Sequence, residues 1–206
     1  MKVLLITRQE RIPRVDPLFN GLSELCDLTV IEISRPEMKS FPQYFQSLDI
    51  APYDRIVVDI PIRRLRKHYK CLVGVENLVF FEEDLYQEFL PRSKFYKKFS
   101  VLCKKIGTCR VICTGYYVGL RAAAKGMDVR VVLKAYDESK LSNLNIERDI
   151  EIGFIGRVNN KVYKLRRKLL TMLAKEDYLS LIRTETDEDY LEKLNRIKFF
   201  FSADLE

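Results

Sequence analysis

The chain has 206 residues, of which 47% are hydrophobic and 32% charged, an ordinary globular balance that excludes a disordered or collagen-like polymer. At this length it fits one large domain or one domain and part of another, and it buries enough surface to fold without a staple. Lys and Arg number 36 against 29 Asp and Glu, a net of +7, which favours a phosphate-rich, anionic or membrane-surface partner.

The elements alternate. KVLLIT (2–7) reads as a buried strand, because its apolar core is too short for a secretory signal. A helix is predicted over 16–25, then a strand over 27–33, a helix over 41–48, a strand over 55–61 and a helix over 62–72. Strands follow at 78–83, 109–115 and 129–134, separated by helices at 92–106 and 116–125. The strands are near-continuous Val/Ile/Leu runs, the pattern of a parallel sheet covered on both faces. DESKLSNLNIERD (137–149) is polar, has neither period, and reads as a linker. The alternation then restarts with a strand at 151–156, a helix at 160–175, a strand at 178–183, a helix at 187–196 and a strand at 198–204. The predicted fold class is α/β: two doubly wound, Rossmann-like domains with mostly parallel sheets, the second incomplete. The boundaries are 1–136, a linker at 137–149, and 150–206.

The charge is uneven. Residues 1–140 hold 24 basic and 17 acidic groups, residues 141–206 hold 12 of each, and between Glu88 and Asp128 no acid occurs among nine Lys and Arg. Within that stretch, Phe95, Phe99, Leu102 and Ile106 recur at helical spacing among Lys94, Lys97, Lys98, Lys104 and Lys105. Such a helix either seats on an anionic membrane or packs its apolar stripe on a sheet and solvates its lysines. No nucleic-acid signature accompanies it. Cys26, Cys71, Cys103, Cys109 and Cys113 lie in or beside apolar patterns and read as reduced core residues of a cytoplasmic protein. One histidine and no CxxC argue against a zinc site.

Several local strings resemble a known family. VRVVLKAYDES (129–139) is similar to the end of the acceptor domain in group 1 glycosyl transferases, keeping the Asp of a Pro-Asn-Gly-Val-Asp-like linker and lacking its Pro and Gly. IEIGFIGRVNNKVYKLRRKLLTMLA (150–174) resembles the opening strand, loop and helix of the donor domain. IKFFFSAD (197–204) resembles the Phe-rich strand of the spore-maturation-protein-like branch. The resemblance is to GT-B glycosyltransferases and spans nearly the whole chain. It implies transfer of a sugar from a nucleotide diphosphate sugar to a hydroxyl acceptor, such as a cell-surface or lipid-linked glycan. The donor is a substrate, and no cofactor, metal or nucleic acid is implied. With the cysteine and charge readings above, the expected location is the cytoplasm, with peripheral contact at an anionic inner-membrane face. In that family the donor domain continues with a Glu- and Gly-rich segment after this point. The expectation is that this chain alone is inactive, as a fragment, a truncation or one part of an enzyme completed by a separate chain. The alternative is a non-catalytic α/β module that docks on a partner chain or an anionic membrane. A flavodoxin- or response-regulator-like domain is disfavoured by the absence of an Asp pair or a Ser/Thr-rich loop at the first strand end.

Gly156 and Arg157 follow the seventh strand, where ligands of open α/β sheets bind. The glycine admits a backbone approach, the arginine offers bidentate donors to a diphosphate, and Lys161 begins the next helix. These three are the candidate donor-binding residues; the plain alternative is a solvated basic turn. Glu82, Glu83 and Asp84 close the fourth strand. An inverting transfer needs a general base there, and Asp84 is the candidate, although acids also simply cap helices. His68 sits among Arg63, Arg64, Arg66 and Lys67 and reads as a surface histidine. Thr114 and Gly115 end the fifth strand and read either as a wall of a cleft between the domains or as a simple strand-to-helix turn. Asp187 and Asp189 have metal-motif spacing but start a helix.

Overall fold

The computed structural model describes residues 1–9, 12–108, 110–133, 141–156, 158 and 164–202, with the side chains of 12–18 and 164 left undescribed. The chain divides into two compact units, Met1–Ala135 and Tyr136–Glu206. No helix is long and apolar enough to cross a membrane among the described residues.

In the first unit, strands β1 (Lys2–Arg8), β2 (Asp27–Ile33), β3 (Arg55–Asp59), β4 (Leu78–Phe81), β5 (Arg110–Cys113) and β6 (Asp128–Val131) form one sheet. Its order is β2-β1-β3-β4-β5-β6, and every pairing is parallel. The direction of the order reverses at β1 and β3. That is the flavodoxin-type doubly wound order rather than the 3-2-1-4-5-6 order of dinucleotide-binding domains. The disfavoured flavodoxin-like comparison therefore shares this sheet order, which sequence patterns do not encode.

Alternate residues divide between the two faces, as the period of a strand requires. Leu4, Ile6, Ile56, Val58, Leu78, Phe80, Val111 and Cys113 join one large core, while Leu5 packs with Phe19, Leu28 and Val57 in a smaller one. Helix α1 (Ile12–Leu25) supplies Phe19. The predicted helix 41–48 is α3 (Phe41–Gln46), and a further short helix, α2 (Arg35–Lys39), precedes it. Helix α2 escapes prediction because it is five residues long and is defined by a capping box at Ser34 and Glu37 rather than by periodicity. The predicted helix 62–72 is two pieces, α4 (Ile62–Leu65) and a 3-10 turn at Tyr69–Leu72. Predicted helix 92–106 shortens to α5 (Lys98–Ile106), which buries Phe99, Leu102, Cys103 and Ile106. Helix α6 (Tyr116–Ala123) closes on β5 and β6 through Gly119, where an added Cβ would lie 2.4 Å from Val131 Cγ2.

Cys103 is disulfide-bonded, whereas Cys26, Cys71 and Cys113 are free. The reading of all five as reduced is corrected at Cys103. An apolar pattern reports burial, and oxidation is decided by which sulfurs the fold brings together.

The second unit repeats the opening of the first. Strands β7 (Ile150–Ile155), β8 (Ser180–Ile182) and β9 (Ile197–Phe200) are parallel in the order β8-β7-β9. Helix α7 (Lys164–Lys175) packs on β8, and α8 (Asp187–Arg196) packs on β7 and β9. The core is small: Phe154, Leu170 and Leu179 are buried, with Ile152, Val158, Leu173 and Phe201 against them. On α7, Leu165 and Met172 are exposed. Residues 141–149 have no regular structure but are tied to this unit. The Asn195 side chain accepts from Leu144 N–H at 2.9 Å and donates to the Ser142 carbonyl at 3.0 Å. Arg196 donates to Asp149 at 2.8 Å.

Candidate functional site

The carboxyl ends of β1, β3 and β4 carry a set of polar groups that apolar strands would not contain without a reason. Thr7, Asp59 and Glu82 are all buried, at 0%, 1% and 6% exposure. Ligands of doubly wound sheets bind beyond these strand ends, at the point where the order reverses. Parallel pairing sets Thr7 beside Asp59 in register, and the Thr7 hydroxyl donates to Asp59 Oδ2 at 2.8 Å.

Glu82 follows β4 and turns its carboxylate inward. One oxygen accepts from the Ile62 N–H at 3.1 Å, at the first residue of α4. The other accepts from the Asp84 N–H at 3.1 Å. Burial pushes the Glu82 carboxyl up to about 7. The two N–H donors favour the ionised form and oppose that rise, while the negative charges of Asp84 and Asp59 add to it. A carboxyl that exchanges its proton near neutrality, at the ligand-binding edge of a parallel sheet, is suited to general acid–base chemistry.

The candidate base of the sequence, Asp84, lies in this loop but differs in character. It is exposed and precedes a 3-10 turn at Leu85–Glu88 without capping it through its side chain. Its contribution is the backbone N–H held by Glu82. The triplet of acids at a strand end thus contains a buried carboxyl, at Glu82. The member with the perturbed carboxyl is the first, which continues the inward alternation of β4. Asp59 gave a signal that went unread, an acid embedded between Val58 and Ile60 in a strand run. Thr7 gave none, since threonine is common in strands.

Gly156, the described member of the donor-site trio, is exposed just beyond β7. A Cβ there would stand 2.9 Å from the Phe154 ring, so the turn folds tightly over its own strand. Arg157 and Lys161 lie outside the described residues. His68 is half-buried, with its ring 6.0 Å from that of Phe41, a packing role. Gly115 is the N-cap residue of α6. Asp187 and Asp189 stand in the first turn of α8. There Asp189 accepts from Glu185 N–H at 2.9 Å and pairs with Lys193 at 2.7 Å, and its own N–H donates to Thr186 at 3.1 Å. That is helix capping. No group of three His, Cys, Asp or Glu arranged to hold a metal ion occurs among the described residues.

Set against family models and curated proteins, the chain matches none.

Proposed function

We propose that the chain carries glycosyltransferase machinery of the GT-B kind, using a nucleotide diphosphate sugar as donor and a hydroxyl of a glycan or lipid-linked glycan as acceptor. The observation that carries this reading is the Glu82 carboxyl, buried at the sheet's ligand-binding edge and raised to about 7. In an inverting transfer, the acceptor oxygen attacks the anomeric carbon while a base takes its proton. A carboxylate matched to neutral pH fits that task, and we assign it to Glu82 in place of Asp84. The second unit supports the donor side. It opens as a parallel β-α-β-α-β sheet, and Gly156 directly follows its central strand, the position where a diphosphate would meet the following turn. Arg157 and Lys161 are the proposed cations for the leaving diphosphate.

The test incubates the full-length or reconstituted protein with uridine and guanosine diphosphate sugars and measures release of the nucleoside diphosphate, alongside calorimetric binding of the diphosphate. Glu82→Gln should lower turnover by roughly 10²–10⁴-fold and leave diphosphate binding intact. Arg157→Ala should weaken diphosphate binding roughly 10- to 150-fold. Absence of both binding and release with every donor would sink the reading. Binding and release that survive unchanged in Glu82→Gln would remove that residue's role alone.

A further inference from the structure

The acid-free stretch between Glu88 and Asp128 folds into a particular surface. Arg66, Tyr96, Lys97, Lys98, Val101 and Lys105 line a pocket of about 310 Å³, with Leu102 beneath them. The four cations are exposed, and among the described residues none of them pairs with a carboxylate. Two of the lysines lie instead over aromatic faces, Lys97 5.0 Å from the Tyr96 ring centre and Lys105 4.8 Å from that of Tyr69. An aromatic face holds an ammonium in place without cancelling its charge.

The nearest acid in the sequence is turned away from this surface. Glu88 is 2% exposed; it accepts from Phe99 N–H at 2.9 Å and from the Ser100 hydroxyl at 2.6 Å, capping α5. Its remaining charge faces Lys125 at 3.8 Å. The same residue fixes Lys97, whose N–H donates to the Glu88 carbonyl at 3.1 Å and whose backbone is left-handed, with φ of 54°. The acid thus organises the first turn of a basic helix from the inside, and the outer face stays cationic.

The pocket also has an apolar wall. Val101 is 49% exposed on α5, between Lys98 and Lys105 in the chain. A free inorganic anion gains nothing from such a wall, whereas a lipid headgroup brings phosphate and hydrocarbon together. We propose that this pocket seats the first unit on an anionic lipid surface, with phosphate groups on Arg66, Lys97, Lys98 and Lys105 and Val101 against the interfacial hydrocarbon.

The experiment is sedimentation of the full chain with two kinds of vesicle, phosphatidylcholine alone and phosphatidylcholine in which a third of the lipid is phosphatidylglycerol. Binding should favour the anionic vesicles and weaken as salt is raised. Lys98→Ala with Lys105→Ala should lower the partition about 25-fold, roughly fivefold per cation removed. Lys2→Ala with Lys39→Ala, which removes the same charge from exposed positions outside the pocket, should leave it unchanged. Val101→Ser should lower it without altering its salt dependence. Circular dichroism confirms that each variant is folded. Equal binding to both vesicles, or an equal loss in the two double variants, overturns the proposal. Calorimetric binding of inorganic phosphate without vesicle preference also overturns it, in favour of a free-phosphate site. Retention of a labelled single-stranded RNA through Lys98 and Lys105, with no vesicle binding, overturns it in favour of nucleic acid.

Discussion

The two units of this chain begin with the same plan and end with different cores. Each places its first strand centrally, its second on one side and its third on the other. In the first unit three more strands follow, and Phe80 and Leu78 of β4 are 2% and 0% exposed. In the second unit the third strand is an edge, and Phe199 and Phe200 are 64% and 48% exposed. A β-α-β-α-β segment covers its central strand and leaves its outer strands half-clothed. Phe80 is buried and Phe199 and Phe200 are exposed because of their neighbours, since intrinsic preference is the same in both units.

The sharpest test of this contrast truncates one phenylalanine in each unit. Phe80→Ala should destabilise the first unit by about 3–5 kcal/mol, since the ring also meets Phe99 edge-on at 5.6 Å. Phe199→Ala should change stability by less than about 0.5 kcal/mol. Urea denaturation followed by circular dichroism measures both, and equal losses would mean that β9 is covered in solution.

The next effect separates the units by pH. Glu82 in the first unit is raised to about 7 from an ordinary value of 4.5, so the native state keeps a proton that the unfolded chain has released. Stability from this group is fully present below about pH 4.5 and is lost as pH rises through about 7, a change of about 3 kcal/mol. In Glu82→Gln that slope should disappear. The clearest shifts in the second unit run the other way at the carboxylates, with Asp149 and Asp189 held low by Arg196 and Lys193. Asp149 is exposed and Asp189 is only partly buried at the surface, so their pH dependence should be slight and weakened by salt. A slope that persists in Glu82→Gln would point to another buried acid.

Smaller still is Thr7→Val. It keeps the shape of the side chain and removes the donor to buried Asp59, which should cost about 1–3 kcal/mol in thermal unfolding. Smallest is Thr186→Ala in the second unit, which removes the N-cap of α8 and should cost about 1 kcal/mol. If Thr186→Ala proved the more damaging of the two, the second unit would depend on local capping more than on its core.

Much of the architecture could be read from local pattern. The nine strands among the described residues lie within a few residues of their predicted positions, because a buried parallel strand must be a short apolar run bounded by polar turns. The positions of the turn at Gly156 and of the acid cluster at 82–84 followed from strand ends. The polar stretch at 137–149 read as a linker, yet the part the structure describes belongs to the second unit. Its attachment runs through Asn195, some fifty residues later in sequence, which no local window detects.

The sequence by itself determined the α/β class, the break between two sheets and the concentration of positive charge in the first, since these follow from periodicity and composition over short windows. Tertiary structure alone decided the strand order, the choice of Glu82 over Asp84 as the buried carboxyl, and the inward turn of Glu88 that leaves a basic pocket unneutralised. Each of those depends on which distant segments meet. A carboxyl's proton affinity is set by the water removed from it and the donors brought to it, and neither is written at its own position in the chain.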